Sequence, residues 1–196
     1  MADDFSIIAI TPEVTRVDEV EWINTLLSDK SGIVSRVHIR HPGHDLKPIL
    51  ESLPFEFLDK ISIHDDLELL SMFPNIGFHF NRRVPYRALD GKRVLSSSCH
   101  SWDEVFEKKD LDYVTLSPIY DSVSKHGYKG NIALLRDCPH GDIKVMALGG
   151  ITLDNITTLH NFDGAAMIGL LDIPLCDIPI RLEKIKEKVS QLCFSL

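Results

Sequence analysis

The chain has 196 residues, of which 44% are hydrophobic and 26% are charged, and its formal net charge is -8. This composition is typical of a soluble globular protein, and the length favours one domain over residues 1–196. The negative charge argues against nucleic acid as a partner, because a broad nucleic-acid surface needs a basic field. No apolar run approaches the roughly 20 residues of a membrane span, and the acidic start MADDF lacks the basic segment of a signal peptide. We therefore expect a cytoplasmic protein with no membrane partner.

Eight short runs, most of them rich in Val, Ile, Leu or Phe, recur along the chain with helix-like or loop-like segments between them. They span residues 6–10, 36–40, 60–64, 77–80, 94–98, 113–118, 144–148 and 165–170. Such runs are typical of buried parallel strands, and their alternation with helices predicts a parallel sheet. Eight units favour a compact, single-domain (β/α)8 TIM barrel over a doubly wound open sheet, although the pattern alone allows both. Because the usual size of this barrel is ~250 residues, its helices and loops must be short.

Apolar residues at helical spacing predict helices over residues 17–28 and 178–192. Residues 101–104, Ser-Trp-Asp-Glu, have the pattern of a capping box that opens a helix after the fifth strand. Thr152 or Asp154 can cap a helix after the seventh strand.

Glycines follow the last two predicted strands, where phosphate sites of this fold are commonly built. Gly149 and Gly150 end the seventh run, and Gly169 ends the eighth. Glycine lets backbone N–H groups approach phosphate oxygens closely, so these residues are candidate phosphate ligands, with a tight structural turn as the alternative. Ser122 and Ser124, in the loop after the sixth strand, are further candidates, unless that loop is an ordinary polar surface loop.

Histidines follow or end four of the predicted strands, near the expected mouth of the barrel. These are His38, His64, His79 and His100. An imidazole in a barrel mouth is a natural general acid or base, and His100 is the candidate for this role, unless it only caps the helix or fills the mouth. A metal site of several histidines is conceivable, but no HxH or HxxxH pair supports one. Packing or substrate contact is the favoured role of the other three.

Three charged residues also lie at strand ends or in the loop after the sixth strand. Arg40 can clamp a phosphate, and Asp65 can either bind Mg2+ or cap the next helix. Lys125, on a loop flanked by glycines, suits a phosphate or pyrophosphate lid.

The segment SSSCHSWDEVFEKKDLDYVTLSPIYDSVSKHGYKG resembles the thiamine phosphate synthase/TenI family. The matching residues are Ser98, His100, Glu104, Asp112, Tyr113, Pro118, Ser122, Ser124 and Lys125. ALGGITLDNI and GAAMIGLL resemble the two phosphate-binding turns of that family. The order and spacing fit across nearly the whole chain.

The resemblance implies one of two chemistries. The synthase joins a thiazole phosphate to hydroxymethylpyrimidine pyrophosphate with the help of Mg2+, whereas the TenI branch tautomerises a thiazole carboxylate phosphate without a metal. Ser98 and Lys125 match positions that contact pyrophosphate in the synthase, and His100 matches the proton-transfer histidine of the tautomerase. The glycine turns and the serine loop would hold the thiazole phosphate. Self-association, common among barrels of this family, implies a homo-oligomer.

The departures from the family pattern all fall in the synthase half. H-I-R-H-P over residues 38–42 replaces Q-L-R-x-K and so keeps the arginine but loses the lysine. H-D replaces N-D after the third strand, which keeps Asp65. H-F-N-R-R-V over residues 79–84 lacks the second metal-binding acid and places Arg82 and Arg83 nearby. Because Mg2+ prefers carboxylate oxygens, these changes should weaken metal binding.

These observations favour a TenI-like thiazole tautomerase that needs no cofactor. His100 would shuttle the proton, while Arg40 would hold a carboxylate or phosphate edge, with His38 and His64 as further contacts. One alternative is a divergent thiamine phosphate synthase in which Asp65 binds Mg2+. Another is a regulatory protein that binds a thiazole phosphate without turning it over, since family likeness does not secure activity.

Overall fold

The computed structural model describes residues 5–89, 93–108, 110–121, 129–135 and 141–194. Eight parallel strands follow one another in chain order around a closed barrel, which confirms the predicted (β/α)8 fold. The strands are β1 Ser6–Ile10, β2 Val34–Ile39, β3 Ile61–Ile63, β4 Gly77–Phe80, β5 Leu95–Cys99, β6 Tyr113–Leu116, β7 Lys144–Leu148 and β8 Gly164–Met167. β1 pairs with both β2 and β8, so the described strands leave no open edge between the first and the last.

The helices around the barrel are short, as the length of the chain requires. They are α1 Glu19–Ser28, α2 Lys47–Ser52, α3 Leu69–Met72, α4 Trp102–Phe106 and α5 Ile178–Ser190. Shorter 3-10 segments are Phe55–Lys60, Ile132–Leu135, Ile156–Thr158, Leu175–Asp177 and Gln191–Phe194. Among the described residues, no helix is both long and apolar enough to cross a bilayer.

The capping box after β5 is confirmed, with one shift in its partners. The Ser101 hydroxyl accepts a hydrogen bond from the Glu104 N–H at 3.2 Å. The Glu104 carboxylate accepts one from the N–H of His100, at 2.8 Å, rather than from the capping serine itself. The box therefore opens α4 and also fixes the backbone of the histidine at the barrel mouth.

The prediction of a helix after β7 is wrong, because the described residues there form only the 3-10 turn Ile156–Thr158. Asn155 accounts for the tight turn. Its side chain accepts a hydrogen bond from the Thr152 N–H at 2.8 Å and donates one to the Gly150 carbonyl at 2.9 Å. These bonds close the chain on itself immediately after β7 instead of leaving Thr152 or Asp154 to cap a longer helix.

Two hydrophobic clusters divide the core. The larger is a layer in which one face of the strands packs against the surrounding helices. The smaller consists mainly of strand residues whose side chains are buried apart from that layer, and it contains Ile8, Ile10, Tyr113, Met146 and Ala166. Because successive side chains of a strand point to opposite faces, this second cluster is the filling of the barrel interior, on the side of β1, β6, β7 and β8.

Gly150 stands where the chain leaves β7, and two features require glycine there. Its φ is +61°, in the left-handed region that side chains with a Cβ rarely adopt. A Cβ on this residue would also lie 2.3 Å from the Asp121 carbonyl oxygen. At Gly169, by contrast, a Cβ would meet nothing within 4 Å.

Gly150→Ala should therefore destabilise the fold, whereas Gly169→Ala should not. We expect Gly150→Ala to lower the free energy of unfolding by about 2–4 kcal/mol, from the left-handed backbone and the clash together. The matched control Gly169→Ala should stay within about 0.5 kcal/mol of the parent. Urea unfolding of the three proteins measures both values, and equal losses in the two variants would contradict this account of the turn.

Candidate active site

A cavity of about 330 Å³ opens at the carboxyl ends of the strands. Its lining combines apolar, cationic and imidazole side chains: Ile10, Arg40, His64, His79, Asn81, Arg82, Arg83, Ser98, His100, Thr115, Leu148 and Ile168. We call this space the mouth cavity. No acidic side chain is among the described residues that line it, so it is suited to an anionic or electron-rich ligand.

A second cavity, of about 350 Å³, adjoins the first. It is lined by the turns after β7 and β8, including Gly149, Gly150 and Gly169. We call it the glycine cavity. Leu148 and Ile168 line both spaces. A ligand with a phosphate at one end and a ring at the other could therefore extend from the glycine cavity into the mouth cavity.

Arg181 also lines the glycine cavity, although no sequence pattern pointed to it. It lies in the first turn of α5, where its guanidinium donates to the Leu170 carbonyl at 3.1 Å. That bond uses one of the five N–H donors of the group, so the others remain chemically suited to an anion in the glycine cavity.

His100 borders the mouth cavity with a defined ring orientation. Its Nδ1 lies 2.9 Å from the Ser117 carbonyl oxygen, which can only accept a hydrogen bond. Nδ1 must therefore carry the proton, and in the neutral ring Nε2 has the lone pair. Among the described residues no hydrogen-bond partner of Nε2 is found. This is the arrangement that a general base needs.

The other three predicted histidines form a packed cluster inside the barrel. His38 Nδ1 lies 2.9 Å from His64 Nε2, and the ring centroids of His64 and His79 are 4.4 Å apart. His38 also bonds the hydroxyl of Tyr113 through Nε2. β2 and β6 are not neighbours in the barrel, so this last bond crosses the interior.

Serines of β5 complete the cluster on its other side. His79 bonds the Ser96 hydroxyl at 2.8 Å through Nδ1 and the Ser98 hydroxyl at 2.9 Å through Nε2. Ser98 thus reaches the mouth cavity while tied to His79. His38 is fully buried and is not among the cavity-lining residues, so it lies behind the site that the sequence predicted it to line.

Burial keeps these imidazoles uncharged. It lowers the pKa of His79 to about 3. The pKa values of His38 and His64 also fall well below 6.5, again mainly through burial, with the nearby imidazoles and arginines adding to the effect. Burial likewise raises the pKa of Tyr113. The three imidazoles and the Tyr113 hydroxyl therefore form a neutral network of hydrogen bonds and ring contacts inside the barrel.

Comparison with solved structures gives two matches over almost the full length of both chains. A thiamine phosphate pyrophosphorylase from Bacteroides thetaiotaomicron is 28% identical with a TM-score of 0.74, and the alignment covers 96% of this chain and 98% of that one. A thiamine phosphate pyrophosphorylase from Pyrococcus furiosus is 18% identical, with a TM-score of 0.76 and coverage of 97% and 98%. No protein-family model and no curated protein sequence matches the chain.

The chain is therefore similar in fold, over almost its whole length, to two thiamine phosphate pyrophosphorylases, and it shares 28% of its residues with one of them. This confirms the resemblance seen in the sequence. The same barrel also occurs in a 4-hydroxy-2-oxoglutarate aldolase that is 12% identical with a TM-score of 0.61, so within this fold the mouth residues must distinguish one chemistry from another.

The resemblance to the synthases implies Mg2+, and the residues here fit that ion poorly. Asp65, the one acid that the sequence leaves for it, forms a two-point ion pair with Arg83 at 3.1 and 3.0 Å. Asn81 holds the loop in place by accepting a hydrogen bond from the Arg83 N–H at 2.8 Å. Mg2+ prefers carboxylate ligands, but the Asp65 carboxylate is already paired with an arginine.

The remaining predicted residues divide into two groups. Arg40 lines the mouth cavity, and its guanidinium pairs with Glu13 at 3.3 Å. Ser122, Ser124 and Lys125 lie outside the described residues, so their roles stay predictions.

Thr115 was missed by the sequence analysis. Its hydroxyl is buried at the mouth cavity with no hydrogen-bond partner among the described residues. Buried polar atoms are rarely left unpaired, and a bound ligand would provide the partner. Thr115 stands two residues after Tyr113 on β6, so alternation along the strand was the available signal.

The buried imidazoles predict a loss of stability in mild acid. Because their pKa values are lower in the folded than in the unfolded chain, the unfolded chain binds more protons below the ordinary value of 6.5. Stability is then full above this value and falls as the pH drops through it. We expect the urea midpoint of chelator-treated protein to decrease between about pH 7.5 and pH 5.

The variant His79→Gln removes one of these titrating groups and should show a smaller decrease between the same two pH values. His160→Ala, at an exposed histidine, serves as the control and should behave like the parent. A urea midpoint in the parent that is unchanged over this range would contradict a neutral buried cluster.

Proposed function

We propose that this protein is a thiazole phosphate tautomerase of the TenI type, acting in thiamine biosynthesis. The observation that carries the proposal is the hydrogen bond from His100 Nδ1 to the Ser117 carbonyl beside the mouth cavity, which leaves Nε2 as the ring nitrogen available to act as a base. The structural neighbours support the wider assignment to thiamine biosynthesis, because both are thiamine phosphate pyrophosphorylases.

In this proposal the phosphate of the substrate occupies the glycine cavity. The backbone turns at Gly149, Gly150 and Gly169 would surround it, and the Arg181 guanidinium would add positive charge. Backbone N–H groups and arginine are both well suited to a dianion. The thiazole ring would then enter the mouth cavity between the apolar side chains of Leu148 and Ile168.

His100 would move one proton within the heterocycle. Nε2 takes a proton from a ring carbon, and the resulting imidazolium returns a proton to another atom of the same tautomeric system, so the reaction consumes no cofactor. Arg40 would hold the carboxylate of the substrate at the rim. The unpartnered hydroxyl of Thr115 would give a hydrogen bond to a polar atom of the ring.

The decisive experiment compares His100→Ala with the parent protein. Loss of the general base should reduce kcat for aromatisation of the thiazole carboxylate phosphate by about 10²–10⁴-fold, with little change in substrate affinity, because the phosphate cradle is untouched. His160→Ala, at an exposed histidine outside both cavities, should leave kcat unchanged. A fully active His100→Ala would exclude this mechanism.

A second candidate is a divergent thiamine phosphate synthase. It is favoured because both structural neighbours are thiamine phosphate pyrophosphorylases. It would use Arg40 and Lys125 on pyrophosphate and Asp65 on Mg2+. The ion pair between Asp65 and Arg83 argues against it, because the carboxylate would have to exchange one strong partner for another.

Parallel assays of both reactions, with and without Mg2+, separate the candidates. We expect tautomerisation that is independent of Mg2+ and no pyrophosphate release from the two synthase substrates. Pyrophosphate release that requires Mg2+, and that Asp65→Asn abolishes, would establish the synthase instead. Tight binding of the thiazole phosphate with neither reaction would indicate a regulatory protein.

A further inference from the structure

The cluster of three buried imidazoles has no role in the proposed proton transfer. We propose that His38, His64 and His79 bind one transition-metal cation of the Zn2+ class, with a fourth position open to the mouth cavity. One ring nitrogen from each residue lies within 4.8 Å of the other two. The proposal goes beyond the tautomerase and does not depend on it, since the cation would bind without substrate.

The spacing of the three imidazoles is compatible with their sharing one ion. The three residues come from successive strands or their ends, and their ring centroids are 4.4–5.0 Å apart. His38 Nδ1 and His64 Nε2, now 2.9 Å apart, need to separate only slightly. Two ligands of a tetrahedral Zn2+ with bonds of 2.0–2.1 Å are about 3.3 Å apart.

The partners of the imidazoles are those that metal-binding histidines usually have. When Nδ1 of His38 faces the ion, its Nε2 keeps the Tyr113 hydroxyl. Whichever nitrogen of His79 turns to the ion, the other keeps a serine of β5. A hydrogen bond to the second ring nitrogen fixes tautomer and orientation, and it raises metal affinity.

The surroundings favour an ion that prefers nitrogen ligands and also admit one further ligand. Imidazole suits Zn2+ and its neighbours better than Mg2+.

The position open to a fourth ligand lies on the side of the mouth cavity. His64 and His79 line that cavity, while His38 lies behind them. Arg40 and Arg82 provide positive charge at its rim. The fourth ligand would therefore be water or an anionic oxygen, as in catalytic zinc sites with three protein ligands.

The test uses the full chain after treatment with a chelator, and the probes are Zn2+ alone and Co2+ alone. Calorimetry with Zn2+ should give one saturable site. Co2+ should develop the visible spectrum of four-coordinate nitrogen and oxygen ligation without a thiolate charge-transfer band, which separates the cluster from the exposed thiol of Cys176.

Two variants should weaken Zn2+ binding to different degrees. His79→Gln removes a ligand and should weaken Zn2+ binding by more than about 100-fold, whereas Tyr113→Phe removes only the supporting hydroxyl and should weaken it by about 10–100-fold. His160→Ala should bind like the parent. Circular dichroism and melting temperature confirm that each variant is folded.

Should His79→Gln fail to fold, NMR of the parent with labelled imidazoles decides the matter. Zn2+ should shift the ring signals of His38, His64 and His79 and leave His160 unaffected. The proposal is overturned by the absence of a one-equivalent site, by Co2+ that stays six-coordinate, by a thiolate band, or by binding that His79→Gln does not change. None of these results would bear on the tautomerase assay of His100.

Discussion

The hydrogen bond between His38 and Tyr113 is the contact on which the barrel interior depends. It spans the lumen between β2 and β6, in a place from which water is excluded. There an unpaired imidazole or hydroxyl would cost about 1–3 kcal/mol, and a charged imidazole considerably more. The imidazoles of the lumen are therefore stable only if they stay neutral and hydrogen-bonded. The same network determines the inner end of the mouth cavity, because His64 and His79 belong to the network and also line that cavity.

As a result, the mouth cavity has one apolar wall and one wall of uncharged imidazoles. Ile10, Leu148 and Ile168 offer an apolar surface for a flat ring, while His64 and His79 face it with uncharged nitrogen. The charge is at the rim, on arginines. The phosphorylated heterocycle of the proposed reaction would meet favourable partners in each region, with its dianion at the glycine turns. The position of His100, fixed by the Ser117 carbonyl and the capping carboxylate of Glu104, then determines which atoms of the ring a base can reach.

The barrel, the capping box and the location of the glycine turns could be predicted because each depends on local pattern: runs of apolar residues, a serine three residues before a glutamate, and glycines at strand ends. The turn at Gly150 was located correctly, but its cause was not visible, since the close approach of Asp121 is made by a segment almost thirty residues away. The missing helix after β7 depends on the side chain of Asn155, which the helix-capping rules do not anticipate. The polar lumen was missed although alternation in Arg36-Val-His38, Ser62-Ile-His64 and Tyr113-Val-Thr115 indicated an inward polar face. A polar interior is unusual for this fold, whose lumen is normally filled by branched apolar residues.

The changes around the mouth make most sense taken together. Three changes should each reduce the affinity of this site for a hard cation bound to pyrophosphate. One acid of the family pattern is lost, the other is paired with Arg83, and imidazoles lie at neighbouring strand ends. The same changes leave the glycine cavity untouched, because it belongs to β7 and β8 on the far side of the barrel. The proposed tautomerase, which needs a held phosphate and a base, would be compatible with such changes, whereas a reaction that must stabilise a departing pyrophosphate would be disfavoured by them. What replaces the hard-cation site is a set of neutral nitrogens, which suit a softer ion or none. In the proposed metal site, a cation of the Zn2+ class would replace the His38–His64 hydrogen bond by two metal–nitrogen bonds.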